Sequence, residues 1–480
     1  MQSPPAAPSP PSGPAALAGA DSPGRGDLFG HPRGLAVLFG TEMWERFSYY
    51  GMRALLVLYM VKHLSDPERA EAVLGYAALR GALETLTGPL GAQPFASHVY
   101  GLYTGLVYLT PLFGGLLADR LLGQRRTVVL GAVLMAIGHF MMAFETLLFP
   151  ALATLILGNG AFKPNIVTQV GGLYADGDAR RDRAYSIFYV GINIGAFLAP
   201  LVCGSLGERV GWHWGFGAAG VGMLIGLATY LAGRPALPRD ALAGAPARRD
   251  TTALAREERS AILAVLLLCV PVTLFWATYE QEGNTIALWA DDHTDRTVSL
   301  FGFSAEIPTT WFQAVNPFLI FAFTPLVVEL WAWQSRRGRE PSTLTKMALG
   351  CLGVALANLI MAAAAMGVGK ASWLWLLGYF VVLTLGELYL SPIGLSLVSK
   401  VAPARHVSLL MGVWLGTSFT GNLLAGVLGS LWSGMDKAAF FLMIAAVAAA
   451  AAAMIAAFRK PLHRRLDPPR PEDRPPAATP

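Results

Sequence analysis

The segment TEMWERFSYYG, residues 41–51, places ionisable side chains in a stretch that is otherwise apolar enough for a lipid bilayer. On a helix, at about 100° per residue, its polar side chains fall within an arc of about 140° and form one stripe. The stripe consists of Glu42, Glu45, Arg46, Tyr49, Tyr50 and Arg53. Each charge in the middle of a membrane helix raises the free energy of insertion by about 2.5–3.5 kcal/mol. These residues are therefore candidates for ion or substrate binding, and the alternative is a structural ion pair that joins helices.

The spacing within the stripe allows one local ion pair. Glu42 and Arg46 are four residues apart, so their side chains lie on the same side of a helix. Glu45 and Arg53 then need partners from other helices or from a ligand.

Three further ionisable residues lie inside apolar segments. Lys163 occurs in GNGAFKPNI, Glu280 in FWATYEQ and Glu387 in GELYLSPIG. The lysine and the arginines of the stripe belong to the first half of the chain, whereas these two acids belong to the second. A cavity between the halves would be positive on one wall and negative on the other, so a zwitterion such as a peptide or an amino acid fits its field.

Other polar residues allow two interpretations each. Asn193 in FYVGINIGAF and Asn316 in WFQAVNPFL can bond between helices or contact a ligand. In GGLLADRLLGQRR, residues 114–126, Asp119 and Arg120 suit a gate or brace at the cytoplasmic surface. Anchoring of basic residues at that surface explains the arginines of this segment but not Asp119.

Composition places the chain among integral membrane proteins. Of its 480 residues, 54% are hydrophobic and 14% are charged, against about 25% charged in soluble domains. Runs of roughly 20 apolar residues predict twelve membrane-spanning helices. They lie near residues 34–61, 98–119, 127–147, 149–173, 184–206, 212–232, 259–288, 308–333, 344–367, 371–399, 406–430 and 437–458.

A polar segment rich in Pro and Ala, residues 233–258, divides these spans into two sets of six. We therefore predict two six-helix bundles, residues 34–232 and 259–458, joined by a cytoplasmic linker and flanked by disordered cytoplasmic tails at residues 1–33 and 459–480. Lys and Arg concentrate in the loops on the side of both termini, which predicts cytoplasmic termini. The net charge of +5 thus reflects membrane topology and indicates no nucleic-acid partner.

Motifs of several other protein classes are missing from the sequence. The three cysteines form no CxxC motif, so we expect neither disulfides nor a metal site. There is no Walker GxxxxGK(S/T), GxSxG or HExxH sequence, so neither an ATP-driven motor nor a hydrolase is indicated. An ion gradient then has to supply the energy, and Glu42, Glu45 and Glu280, acids with cationic neighbours, are candidate proton carriers.

The charged stripe is also part of a longer pattern, ExxERFxYYG, which runs from Glu42 to Gly51. It resembles the signature of the proton-coupled oligopeptide transporter family, a member of the major facilitator superfamily. GNGAFKPNI, FYVGINIGAF, FWATYEQ, the Asn-Pro pair of the eighth span and GELYLSPIGLSL resemble its other motifs. GGLLADRLLGQRR resembles the superfamily's loop between helices two and three. The resemblance extends from about residue 35 to residue 458.

This resemblance implies an all-α membrane protein with the major facilitator fold, twelve helices in two six-helix bundles. Such a protein imports di- and tripeptides together with protons across the cell (inner) membrane by alternating access. Protons are its co-substrate and no other cofactor is implied. It is expected not to be an enzyme and to function as a monomer in the bilayer.

The resemblance further implies roles for individual residues. Proton coupling would involve Glu42, Glu45, Arg46, Lys163 and Glu280. The peptide carboxylate would meet Lys163 and Arg53, and its amino group would meet Glu387 and Asn316. The peptide backbone or the groups beside it would contact Tyr49, Tyr108 and Asn193. Side-chain pockets would be shaped by Trp276 and Trp414, and an outer gate would be formed by Arg53 and Glu280.

The sequence departs from the family pattern in two places. Bacterial members often have two extra helices between the bundles, and the short linker here argues against them. Animal members carry a histidine in the second span that takes part in proton coupling, whereas the aligned residue here is Gly101, with His98 three residues earlier. Coupling is therefore expected to fall to the carboxylates.

Other functions remain open at this stage. The same fold serves transporters of other substrates, such as nitrate or drugs, although the intact glutamates and Glu387 favour a substrate with an amine. A sensor would bind peptide without net transport. A membrane enzyme would need a catalytic constellation that the sequence lacks.

Overall fold

The computed structural model describes residues 27–175, 178–238, 240, 256–300, 302–403 and 406–466. Helices dominate this part of the chain, and twelve of the helices described there have 18 residues or more. They are α1 (Arg33–Lys62), α2 (Ala92–Leu109), α3 (Gln124–Met141), α4 (Leu148–Gly171), α5 (Arg180–Ala199), α6 (Trp212–Gly233), α7 (Arg256–Tyr279), α8 (Val315–Arg336), α9 (Thr343–Ala365), α10 (Trp373–Val401), α11 (Val407–Ser430) and α12 (Lys437–Leu466).

Short elements connect the long helices. The helical ones are Pro67–Ala72, Tyr76–Thr87, Pro111–Leu117, Ala118–Leu122, Glu145–Leu147, Pro200–Gly204, Ser205–Arg209, Arg234–Ala236, Glu280–Gly283, Thr285–Asp292, Thr309–Ala314 and Trp432–Gly434. The strands pair as β1 (Asp27–Leu28) with β2 (His31–Pro32), β3 (Thr294–Asp295) with β6 (Ala371–Ser372), and β4 (Thr297–Leu300) with β5 (Phe303–Glu306).

Ten helical segments of the described chain are long and apolar enough to cross a membrane. They include every long helix except α1, which carries the charged stripe, and α3, which begins with Gln124, Arg125 and Arg126. Many large apolar side chains of these helices are exposed on the protein surface, as contact with lipid tails requires. The chain is therefore a multi-pass helical membrane protein.

Small residues bring the helices of the first half, residues 27–240, close together. α1 packs against α5 and α6, and α3 packs against α4 and α6. A Cβ added at Gly51 would lie 2.6 Å from Cys203 Sγ, and one added at Gly131 would lie 2.6 Å from the Gly158 carbonyl oxygen. Since lipid tails are as apolar as leucine, helix association in a bilayer depends on such close contacts.

The second half, residues 256–466, is packed in a similar way. α9 packs against α10 and α12, α7 packs against α11 and α12, and α8 packs against α10. Gly350 and Gly386 bring α9 and α10 into backbone contact, because a Cβ added at Gly350 would lie 2.7 Å from the Gly386 carbonyl oxygen.

The two halves meet most extensively along α2 and α11. A Cβ added at Gly101 would lie 2.6 Å from the Asn422 carbonyl oxygen and 2.8 Å from Gly426 Cα. Gly101, which the family resemblance aligns with a histidine of animal members, therefore has no room for a side chain in this conformation.

Polar contacts between the halves gather at the end of the molecule where α1 terminates. Lys62 Nζ lies 2.6 Å from Asp291 Oδ2. The Glu208 carboxylate accepts hydrogen bonds of 2.8 Å each from the backbone N–H groups of Thr309 and Thr310, which begin a short helix. With cytoplasmic termini, as predicted, this closed end is the outer one.

The predicted limits of the two bundles shift in the structure. Residues 27–33, predicted as part of a disordered tail, form the β1–β2 hairpin and the start of α1, because Asp27 Oδ2 pairs with Arg180 Nη1 at 3.0 Å. α12 continues to Leu466, past the predicted limit at residue 458, because helical hydrogen bonding does not stop where the apolar run ends. The other tail residues and residues 241–255 of the predicted linker lie outside the described residues.

Gly101→Ala should destabilise the protein, because its Cβ would meet backbone atoms of α11. Overpacking of this kind costs about 1–3 kcal/mol, and it outweighs the gain of about 1 kcal/mol that alanine has over glycine in a helix. Gly115→Ala is the matched control, since a Cβ there meets no atom within 4 Å. Thermal unfolding in detergent should give a lower midpoint for Gly101→Ala alone, and equal midpoints would contradict this packing.

Candidate functional site

A cavity of about 420 Å³ lies between the two halves of the chain. Residues of α1, α2, α4 and α5 line one side, and residues of α7, α8, α10, α11 and the turn after α7 line the other. Its volume lies within the range of about 300–1,000 Å³ that is typical of small-molecule sites. The charged lining residues are Arg53, Lys163, Glu280, Glu282 and Glu387. The cations thus belong to the first half and the carboxylates to the second, as predicted from the sequence for all but Glu282.

Arg53 connects the two halves at one end of this cavity. Its Nη2 lies 2.6 Å from Glu280 Oε2, and its Nε donates a hydrogen bond of 2.7 Å to the Tyr100 hydroxyl. Arg53 and Glu280 are both buried. Arg53 and Glu280 thus form the pair that the family resemblance implies, which gives Arg53 a partner from the other half of the chain. The role of this pair as an outer gate stays a prediction.

Glu387 of α10 is held by two neighbours in the second half. Tyr279 Oη donates to Glu387 Oε2 at 2.7 Å, and Asn316 Nδ2 donates to the same oxygen at 3.0 Å. Asn316 also donates to Thr384 Oγ1 at 3.1 Å. Both interpretations of Asn316 therefore apply, because it bonds between helices and also lines the cavity.

Lys163 of α4 faces the cavity from the opposite wall. Its Nζ lies 4.8 Å from the centroid of the Tyr108 ring, a cation–π contact. Lys163 forms no ion pair with any carboxylate of the described residues. It therefore has the capacity to bind an anionic group in the cavity.

Three other predicted ligand contacts also line the cavity, and these are Asn193, Trp276 and Trp414. Asn193 Nδ2 donates to the Tyr189 carbonyl oxygen of its own helix at 3.0 Å, so among the described residues it forms no bond between helices. Trp276 meets the Tyr279 ring edge-on, with ring centroids 5.6 Å apart. These rings give the second half's wall an apolar part beside its carboxylates.

The acids of the opening stripe form a separate buried cluster on α1. Arg46 contacts Glu45 through both Nε and Nη2, and Glu42 Oε1 lies 3.5 Å from Arg46 Nε. The predicted pair of Glu42 and Arg46 is therefore present. Glu45, expected to need a partner from another helix or from a ligand, pairs with its neighbour Arg46 and also accepts a 3.1 Å bond from Asn159 Nδ2 of α4. Neither oxygen of Glu42 accepts a hydrogen bond from a described residue.

This cluster of Glu42, Glu45 and Arg46, called the stripe cluster below, does not line the cavity. Tyr49 does not line it either. Tyr49 is buried, its ring lies under the Arg46 guanidinium at 4.9 Å, and it stacks on Tyr103. Tyr50, the next residue, lines the cavity instead. Tyr49, which was predicted to contact the ligand, therefore does not lie at the surface of the cavity in this conformation.

The two predicted inner-gate residues lie at the opposite end of the molecule. Asp119 and Arg120, in the helix Ala118–Leu122, are exposed, and neither side chain forms an ion pair with a residue of the described ranges. The bracing contact at this end uses Asp240 instead, whose Oδ1 accepts from the Arg125 backbone N–H at 2.7 Å. The gating role of Asp119 and Arg120 stays a prediction.

Sequence reasoning missed several lining residues, above all Glu282, Tyr279 and Gln313. Glu282 stands two residues after Glu280, where an α-helix would turn it away. The chain tightens there into the 3₁₀ turn Glu280–Gly283, which brings both acids to the cavity. In the described ranges, no group of three His, Cys, Asp or Glu side chains is arranged to hold a metal ion.

A multi-pass helical membrane protein with an oppositely charged cavity between its two halves has the architecture of a secondary transporter. The family model described as POT family matches residues 125–254 and 241–449. A peptide transporter of Yersinia enterocolitica is 36% identical and covers 85% of this chain and 89% of its own length. A di-/tripeptide transporter of Lactococcus lactis subsp. cremoris is 33% identical and covers 91% of this chain and 96% of its own length. The chain belongs to the POT family.

Solved structures are similar over nearly the whole chain. The peptide transporter POT in complex with sulfate has a TM-score of 0.80 and 31% identity, covering 93% of this chain and 98% of its own. A POT family transporter in complex with 5-aminolevulinic acid has a TM-score of 0.78 and 27% identity, covering 91% and 98%. The family membership and the helical membrane fold expected from the sequence are confirmed.

Glu280→Gln should weaken the closed outer end, because it removes the charge that Arg53 binds across the cavity. A hydrogen bond to a charged group contributes about 1.5–3 kcal/mol, so the open population should rise by about tenfold or more. To measure this population, Gln313→Cys places a cysteine in the cavity of each variant. The rate at which an impermeant maleimide, added from the side opposite the termini, labels this cysteine reports the open population. Glu329→Gln is the control, since that carboxylate is 71% exposed and lies outside the cavity. Equal labelling rates in the two variants would contradict the gate.

Proposed function

We propose that the chain is a proton-coupled symporter that imports di- and tripeptides across the cell (inner) membrane by alternating access. The observation that carries this proposal is the charge pattern of the cavity, where Arg53 and Lys163 face Glu280 and Glu387. Such a field binds both ends of a zwitterion, whereas an anion or a cation alone meets repulsion from one wall. The relatives support the substrate class, since their names describe peptide and di-/tripeptide transporters.

We infer that all twelve long helices cross the membrane in two bundles, residues 34–232 and 259–458, with the linker 233–258 and both termini in the cytoplasm. The packing supports this division, because α1–α6 and α7–α12 pack mainly among themselves, and α2 with α11 forms the main contact between the sets. The functional unit is a monomer, because the two halves of a single chain supply both charged walls of the cavity.

The peptide lies across the cavity with its ends at opposite walls. Its carboxylate binds Lys163 and Arg53, and its ammonium group binds Glu387, which Asn316 orients. Tyr108 and Asn193 contact the backbone, with Tyr49 behind them, and Trp276 and Trp414 enclose the side chains. The preformed bonds from Asn316 and Tyr279 support this assignment, because they fix the carboxylate before the ligand arrives.

Protons bind the carboxylates that are paired with Arg53 and Arg46, and so break these ion pairs. A proton on Glu280 releases Arg53 from the outer gate, and a proton on Glu42 or Glu45 frees Arg46 within the stripe cluster, next to Lys163. The three acids share the coupling. Once both charges are bound, the bundles rock, the outer contacts reform, and an inner gate that includes Asp119 and Arg120 opens.

Reconstituted liposomes with an inward pH gradient test this function with dialanine as substrate. The wild type should accumulate dialanine. Glu45→Gln should lose accumulation but keep exchange of dialanine across equal concentrations, because glutamine still bonds to Arg46 but cannot carry a proton. Glu329→Gln, an exposed carboxylate on α8, is the control and should behave as the wild type.

The same assay separates the alternatives. Binding of dialanine without accumulation by the wild type would indicate a receptor, and accumulation that dialanine does not compete with would indicate another substrate. Loss of both activities in Glu45→Gln, or of neither, would contradict the coupling role of Glu45.

A further inference from the structure

The turn after α7 holds a carboxylate that the proposed cycle does not use. Glu282 lines the cavity, and its side chain is 13% exposed. Its Oε1 lies 3.5 Å from Arg53 Nη2, whereas its Oε2 is buried and accepts no hydrogen bond from any described residue. One oxygen of a cavity carboxylate therefore has no hydrogen-bond partner among the described residues.

Arg53 does not neutralise both acids of this turn. It pairs directly with Glu280 at 2.6 Å, and its Nε is taken by the Tyr100 hydroxyl. With all three groups ionised, the cluster of Arg53, Glu280 and Glu282 carries one unbalanced negative charge. A buried unbalanced charge is unfavourable, so the cluster attracts a proton or another cation.

The cavity as a whole also has one more negative charge than positive charges. Its charged lining comprises two cations and three carboxylates. The titratable and charged groups that face Glu282 are Arg53, Glu280, Glu387, Tyr50, Tyr279 and Tyr379. Of these groups, Arg53 alone is positive. A zwitterionic peptide brings one ammonium and one carboxylate, so it leaves the excess unchanged.

We propose that Glu282 binds one positive charge that travels with the peptide. With a peptide whose side chains are neutral, this charge is a proton that binds a Glu282 carboxylate oxygen on the outer side and dissociates on the inner side. A lysine or arginine side chain of the peptide replaces that proton. Glu282 thereby sets how many protons accompany each class of peptide, an inference that rests on the proposed function.

The test measures protons per peptide at zero net flux. Liposomes with the membrane potential clamped at zero by potassium and valinomycin receive a series of pH gradients, and the peptide gradient that stops net flux is determined. The slope of the logarithm of this peptide gradient against the pH difference equals the number of protons. The slope does not depend on how much protein is active. Ala-Lys is compared with Ala-Ala and with Ala-Gln, which matches lysine in polarity but lacks its charge.

The wild type should give a slope that is smaller by one for Ala-Lys than for the two neutral peptides. Glu282→Gln should give the lower slope for all three peptides. At a pH difference of one unit, the Ala-Ala gradient that stops net flux should therefore be about tenfold smaller than in the wild type. Glu329→Gln, an exposed carboxylate outside the cavity, should keep the difference between the peptides.

Equal slopes for all peptides in the wild type overturn the inference and leave the proposed function intact. A difference that persists in Glu282→Gln overturns the assignment to Glu282. Should that variant show no flux, Glu282→Ala takes its place, and the wild-type comparison already decides whether a cationic side chain replaces a proton. Absence of any flux driven by the pH gradient in the wild type overturns the proposed function and this inference together.

Discussion

The structure depends on the need to neutralise charges that lie away from water. A buried ion loses hydration worth several kcal/mol, and only a closely placed opposite charge with good hydrogen bonds offsets that loss. On α1, Arg46 lies against both Glu42 and Glu45, while Arg53 reaches across to Glu280 in the other half. The same pairs that stabilise this conformation are those that a proton or a peptide would rearrange.

Packing decides which of these pairs can open. Within each half, glycines such as Gly51 and Gly350 bring helices into contact at distances that leave no room for a Cβ. Between the halves, the closed end relies on polar pairs such as Lys62 with Asp291, together with the close contact of α2 and α11. Polar pairs can exchange partners with water or a ligand, whereas the packing of α2 on α11 has no such substitute.

Much of this arrangement could be predicted from the sequence, because the helical period and the position of each charge are local properties. The positions of the charges predicted a cavity with Arg53 and Lys163 on one wall and Glu280 and Glu387 on the other, and these residues line the cavity in that way. The pairing of Arg53 with Glu280 was implied by the family resemblance. The rotation of each helix is set by packing, so the sequence did not show that Tyr50 rather than Tyr49 lines the cavity. The 3₁₀ turn that brings Glu282 beside Glu280 and the contact between Arg125 and Asp240 likewise depend on distant parts of the chain.

The central claim is that protons and peptide bind favourably to one shared set of buried charges. Coupling of two ligands is reciprocal, so a peptide whose binding is promoted by protons must itself promote proton uptake. Calorimetric titration of the purified protein with dialanine near neutral pH, in buffers that differ in ionisation enthalpy, measures this uptake directly. The account predicts a binding enthalpy that changes with the buffer in the sense of net proton uptake. A binding enthalpy that is independent of the buffer, or one that indicates net proton release, would contradict it.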